Sequence, residues 1–268
     1  MRGTMAIGQS RTADRAWAVP PVAIRIVSVL VGLAAWEIYG RILRLSIFTY
    51  PSQIAAAFVA LVQSGELQFY LGSSVVVLSL GLLLAIVIGI PLGVLIARRA
   101  TVEHALDPYI NALYATPTVA LIPVIVLWLG FQTQAKVSLV FLFCVFPILI
   151  NTYQGVKNTD RRLIEVARSF CSGEWSLWRD LILPSAVPFI LAGIRLAIGR
   201  GLVGMVVAEF YTSISGLGYM IVQYANTFRT DRLFVPIVVL MVMGVGLTSL
   251  LRNVEHRIAP WLKTSAGE

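Results

Sequence analysis

Apolar residues in this chain gather into long blocks instead of alternating. A helix needs about 20 such residues to cross a hydrocarbon core of roughly 30 Å. Six blocks reach or approach that length: residues 22–39, 71–97, 106–129, 137–153, 187–210 and 233–251. Pro117 and Pro123 lie inside the third, which is therefore expected to be kinked or broken there. Between the first two blocks, Thr49-Tyr50-Pro51-Ser52 has the chemistry of a turn, with Ser52 as the expected N-cap of a short helix. Ile54, Phe58, Leu61 and Val62 follow at helical spacing and Gly65 closes the run, which predicts an amphipathic helix at the outer membrane interface. Small residues recur every fourth position at Gly81, Ala85, Gly89 and Gly93, and again at Gly193, Ala197 and Gly201. Such ridges let helix backbones approach closely in lipid. They serve either as a dimer or pore seam or, more commonly, as packing within one bundle.

Composition sharpens this picture. Of the 268 residues, 58% are hydrophobic and only 13% charged, about half the charged share of a soluble domain. An ordinary soluble enzyme and a disordered chain are both excluded. The net charge of +8 does not signal nucleic acid, because the cations sit at the ends of the apolar blocks and not on one wet face. The expected surroundings are membrane lipid. Most of the 21 lysines and arginines fall on one side: Arg2, Arg11, Arg15 and Arg25 before or opening the first block, Arg98 and Arg99 after the second, a group from Lys157 to Arg179 after the fourth, and Arg252, Arg257 and Lys263 after the sixth. By the positive-inside rule both termini are cytoplasmic. The organisation is then an N-terminal tail (1–21), one transmembrane domain (22–256) and a C-terminal tail (257–268), with the first block an uncleaved anchor, since no clear cleavage site follows it. The fold class is all-α membrane protein with six transmembrane helices.

The chemistry-bearing residues are few. Cys144, Cys171, His104 and His256 form no ligand cluster, so neither a metal nor another cofactor is expected. No GxxxxGK[ST] phosphate loop and no catalytic set is present, so the chain is expected not to be an enzyme. The fifth block carries Arg195, Arg200 and Glu209, and charges inside a membrane face a cavity or a partner. Arg195 and Glu209 are 14 residues apart, about 21 Å along a helix, too far to pair. Arg200 lies nearest mid-membrane. It either lines a path and attracts an anion, or is an anchor satisfied by carbonyls or by Glu37. A proton-coupled secondary transporter is the alternative function, but it needs titratable intramembrane carboxylates, and Glu37 and Glu209 both lie near block ends.

The longest inner loop, 156–185, has helical periodicity of its own. Asp160 is a suitable N-cap, Leu163, Val166, Ala167 and Phe170 share a face, and Trp175, Trp178, Leu181 and Ile182 form a second apolar side ending at Leu183-Pro184. Two short helices with a turn at Ser172-Gly173 are predicted. The run Glu165-Val166-Ala167, a turn, and Leu183-Pro184 resembles the EAA loop of permease subunits in bacterial ABC importers. The segments 50–52, 116–130, 146–156, 188–199 and 215–221 resemble the nitrate/sulfonate/taurine branch, so the likeness extends over residues 50–261. It implies the type I ABC importer permease fold in a bacterial cytoplasmic (inner) membrane. It further implies an ATP-binding cassette subunit that hydrolyses ATP, a periplasmic or lipid-anchored solute-binding protein, and a second permease copy in a homodimer. The solute would be small and anionic: a sulfonate, taurine, nitrate or a bicarbonate-like ion. Glu165, Ala167, Arg168, Phe170, Cys171, Gly173 and Pro184 would couple to the ATPase; Arg195 and Glu209 match what the family shows in the fifth block, and together with Arg200, which the resemblance does not place, they are the candidates for the solute path. Cys171 stands where the family has a loop glycine, and Gly173 is expected to take over the turn.

Overall fold

The computed structural model describes residues 21–43, 48–212 and 215–260, all of them helical or in short connections. Of the expected tails, 1–21 and 257–268, residues 1–20 and 261–268, with Arg2, Arg11, Arg15 and Lys263, lie outside the described residues. The chain divides into two compact units, residues 1–52 and 53–268. In the first, helix α1 (Pro21–Leu43) is long and apolar enough to cross a membrane. Thr49 and Ser52 lie against its end. Trp36 Nε1 donates to the Thr49 carbonyl at 3.0 Å, and Ser52 donates to Glu37 through both its N–H (3.0 Å) and its hydroxyl (2.8 Å). Helix α2 (Pro51–Gln63) therefore begins one residue before Ser52. The expected serine N-cap is corrected: the Glu37 carboxylate takes the amide of the first turn instead, a favourable place for negative charge.

In the second unit the order continues through α3 (Glu66–Arg98), α4 (Ala100–Ala115), a 3-10 turn (Thr118–Leu121), α5 (Ile122–Leu129) and α6 (Thr133–Lys157). Then come α7 (Arg161–Ser169), α8 (Glu174–Leu177), α9 (Leu183–Thr212), α10 (Leu217–Asn226) and α11 (Thr230–Ile258). Among the described residues five helices are long and apolar enough to span, and six if the bent pair α4 and α5 counts as one. That pair turns by 86° at the expected break. Thr116 is extended (ψ 129°), as a residue before proline prefers, while Pro123 sits in the first turn of α5, where its missing N–H costs nothing.

The core is the packing of α3 and α9 on α6. Lipid gives helices no hydrophobic reason to associate, so close backbone approach must supply the attraction. Both small-residue ridges do this within the chain. A Cβ added at Gly81 would stand 2.5 Å from Val140, one at Gly93 2.7 Å from the Leu149 carbonyl, and one at Gly201 2.7 Å from the Cys144 sulfur. Val77, Leu78 and Ala85 of α3, Cys144 and Ile148 of α6, and Ala197 and Met205 of α9 fill the seam. The opposite faces of α3 expose Leu83, Val87 and Leu95, as a lipid-facing surface does. Gly93→Leu is expected to destabilise the bundle by about 1–3 kcal/mol, because a backbone carbonyl cannot move aside. A thermal midpoint in detergent equal to the parent's would contradict this packing.

Candidate functional site

The loop between α6 and α9 is built as a stiff element. Asp160 caps α7 by accepting from the Arg162 N–H at 2.9 Å, and Thr159 Oγ1 donates to the Val156 carbonyl at 3.0 Å. The C-terminus of α7 closes with two nested bonds: Cys171 N–H to the Arg168 carbonyl (2.9 Å) and Ser172 N–H to the Ala167 carbonyl (3.1 Å). This is the Schellman pattern, which needs a left-handed residue at the position Cys171 holds. Its φ is +55°, whereas Gly173 has an ordinary φ of −66°. The expectation that Gly173 takes over the turn is thus corrected; the cysteine itself bears the strained conformation. A left-handed non-glycine residue costs about 1–2 kcal/mol, and the entropy of a new glycine takes back about 0.5–1, so Cys171→Gly should stabilise the loop by about 0.5–1 kcal/mol. A fall in the thermal midpoint would contradict this.

Pro184 was expected to end the second helical piece. It does not. Residues 178–182 form a π turn, in which Leu183 N–H donates to the Trp178 carbonyl five residues back, and the helix runs on into α9. The wider turn shifts the hydrogen-bond ladder just before the proline, which then occupies the first turn of α9. The outcome is one helical rod of 39 residues, Glu174–Thr212. Val156, Leu177, Ile182 and Ala186 form a buried cluster against which Ile164, Ala167, Trp178 and Leu181 pack. The predicted apolar faces are accordingly split. Ile164 and Ala167 point inward, while Leu163, Val166, Phe170 and Trp175 stay exposed, Phe170 by 81% and Trp175 by 75%. Glu165 and Arg168 share that outward side, and Arg168 pairs loosely with Glu174 at 3.8 Å. Lys157 and Tyr153 of α6 both donate to Glu103, tying the start of α4 to the base of the loop.

A cavity of about 540 Å³ opens beside the break between α4 and α5. Tyr114, Thr116 and Thr118 line one side, Phe143 and Phe146 of α6 another, and Arg195 and Arg200 of α9 a third. Arg200 Nη2 donates to the Tyr114 hydroxyl at 2.7 Å, and its guanidinium lies 4.8 Å from the centre of the Tyr114 ring. Arg195 pairs with Glu255 of α11 at 2.5 Å. Glu209 is not among the lining residues. It is fully buried, accepting from the Ser74 hydroxyl and the Gly218 N–H, both at 2.7 Å. Two of the three path candidates therefore share a cavity and the third stands apart. Tyr114, Thr116 and Thr118 escaped the sequence reading as site residues. Their signal was the proline break beside them, which marks irregular backbone of the kind membranes tolerate only in protein or along a cavity.

The comparisons with known proteins agree on one group. Residues 89–260 match the family described as binding-protein-dependent transport system inner membrane component. The Bacillus subtilis protein named as an aliphatic sulfonates transport permease, SsuC, is 34% identical over 237 residues, covering 88% of this chain and 86% of its own. The formylaminopyrimidine transport permease ThiX of Halalkalibacterium halodurans is 32% identical over 232 residues, with 86% and 92% covered. The taurine transport permease TauC of Escherichia coli is 31% identical over 192 residues, with 72% and 70% covered. In fold, the chain is similar to a chain of the inward-facing MetNI methionine ABC transporter, with a TM-score of 0.52 at 18% identity over 70% of this chain and 92% of that one. With its apolar helices, its capped 156–185 loop and these likenesses together, the chain belongs to the family of binding-protein-dependent transport system inner membrane components, the permease subunits of ABC importers.

Proposed function

We propose that the chain forms the translocation path of an ATP-driven importer for a small organic anion, and that the 156–185 loop couples it to a separate ATPase subunit. The observation that carries the coupling is the outward side of α7. Leu163 and Val166 on α7, Phe170 at its C-cap and Trp175 on the following α8 are large apolar side chains left open, and α7 is capped at both ends and braced from behind. Such a surface, flanked by Glu165 and Arg168, fits a protein groove better than water. Ala167 holds α7 against the bundle, Cys171 sets the turn, Gly173 leads into α8, and Pro184 stands where the loop passes into α9. ATPase closure would then move the Glu174–Thr212 rod.

Arg200 supports an anionic solute, since it presents a cation without a carboxylate partner among the described residues to a cavity that Thr116 and Thr118 also line, whereas Arg195 at the same cavity is paired with Glu255. The sulfonates and taurine named for relatives share an anionic sulfonate group, although taurine as a whole is a zwitterion. The remaining parts of the reading are a solute-binding protein on the outer side and a second copy of this chain completing the path. Both termini and the loop would face the cytoplasm of a bacterial inner membrane, with residues 22–256 as the membrane domain. Proteoliposomes holding the chain, its co-purified ATPase and a binding protein are expected to accumulate taurine or ethanesulfonate only when ATP is supplied. Uptake driven by a proton gradient without ATP would establish the secondary-transporter reading instead.

A further inference from the structure

Glu209 and Lys136 are both buried, at 0% and 2% exposure, yet neither touches the cavity or the loop. Each is instead spent on the connection between α9 and α10. Lys136 of α6 donates to the carbonyl (2.8 Å) and the hydroxyl (3.0 Å) of Ser215. Ser74 of α3 donates to Glu209 and accepts the Leu217 N–H at 2.8 Å. Glu209 itself takes the Gly218 N–H. The first amides of α10 are therefore capped by side chains of two other helices, and a carboxylate stands at the positive end of its dipole. Gly216, at φ +110°, lies so close that a Cβ there would fall 2.1 Å from the Glu209 carboxyl. At its far side α10 is held to α3 by Tyr224, whose hydroxyl donates to Glu66 at 2.7 Å.

We propose that Glu209 is a positioning residue that locks α10 to the end of the Glu174–Thr212 rod, so that motion delivered at the coupling loop reaches the 215–226 segment without slack. Glu174 and Glu209 are 35 residues apart on that rod, about 50 Å at 1.5 Å per residue, so loop and lock occupy its two ends. A buried carboxylate with two donors in place is rigid, and removing it leaves Ser74 and the Gly218 N–H without their acceptor in a site closed to water. This lock rests on the proposed coupling through the 156–185 loop together with this geometry, and it holds whatever the solute.

The test is a spin-label distance between Thr227 at the end of α10 and Tyr211 at the end of the rod, on a background lacking Cys144 and Cys171. It is measured in the assembled transporter, nucleotide-free and trapped with ATP and vanadate, beside its ATP hydrolysis rate. The parent is expected to give one narrow distance, the same in both states. Glu209→Ala should widen the distribution at least twofold and make it differ between states while hydrolysis continues. Glu209→Gln, which keeps one acceptor oxygen, should restore part of the narrowness. Should Glu209→Ala fail to assemble, Ser74→Ala decides, because it keeps the carboxylate and removes the hydroxyl that ties it to Leu217; it too should broaden the distance. A parent-like narrow distance in the assembled Glu209→Ala transporter, or in Ser74→Ala where the former does not assemble, would overturn the proposal.

Discussion

Phe170→Ala and Glu165→Lys are expected to abolish ATP-driven uptake while the chain still inserts and folds. Phe170 is exposed, so truncating it removes nothing from the bundle core. Its loss can register only in whatever binds the outer side of α7. An aromatic anchor at the centre of a protein interface contributes about 2 kcal/mol or more, equivalent to roughly a thirtyfold loss of affinity. Glu165→Lys places a like charge beside Arg168 and Arg161, reversing the local field that a partner would meet. Ala167→Trp should act differently. Ala167 packs toward Leu177 and Ile182, so a bulky side chain there pries α7 from its brace and moves the whole docking surface. All three variants should purify with less ATPase, and the first two should keep the parent's thermal midpoint. Full ATPase retention together with full uptake in Phe170→Ala and Glu165→Lys would remove the coupling role from this face.

Arg200→Gln is expected to lower uptake of taurine or ethanesulfonate by about ten- to a hundredfold, since a hydrogen bond to a charged group contributes about 1.5–3 kcal/mol. Insertion and ATPase association should not change, because the residue is exposed in its cavity and its one neighbour bond is to the Tyr114 hydroxyl. Arg200→Lys should retain part of the activity. The ammonium preserves the charge but loses the flat stacking on Tyr114 and the forked geometry suited to an oxyanion. Binding in the path must also stay weak enough for release, which a guanidinium already engaged by a tyrosine helps to ensure. Parent-like transport by Arg200→Gln, or a delivered solute that is cationic, would make the residue a structural anchor.

How much of this could be seen in the sequence depends on how local each feature is. The apolar blocks, the break at Thr116-Pro117 and the Asp160 cap each depend on a few neighbouring residues, and all are found where the chain pattern puts them. Features set by distant residues were invisible. Periodicity showed that α7 has apolar positions, but not that Ile164 and Ala167 would be covered while Leu163, Val166 and Phe170 would stay open, since that depends on the packing of α9. Pro184 reads as a helix end because the usual rule assumes an α ladder; the π turn before it satisfies the proline another way. Cys171 contradicts a side-chain preference that the Schellman bonds override. Glu209 looked like a path residue because an intramembrane charge suggests a cavity. Its partner Ser74 lies 135 residues away, and no local pattern announces that bond.

The central claim is that the outward side of α7 meets an ATPase, and a site-specific crosslink tests it most directly. A photoreactive side chain at Phe170, irradiated in intact cells, is predicted to capture a nucleotide-binding subunit as the main adduct. The same group at Leu83, on the lipid-facing side of α3, should capture no such subunit. An ATPase adduct missing from Phe170, or equally strong from Leu83, would contradict the account.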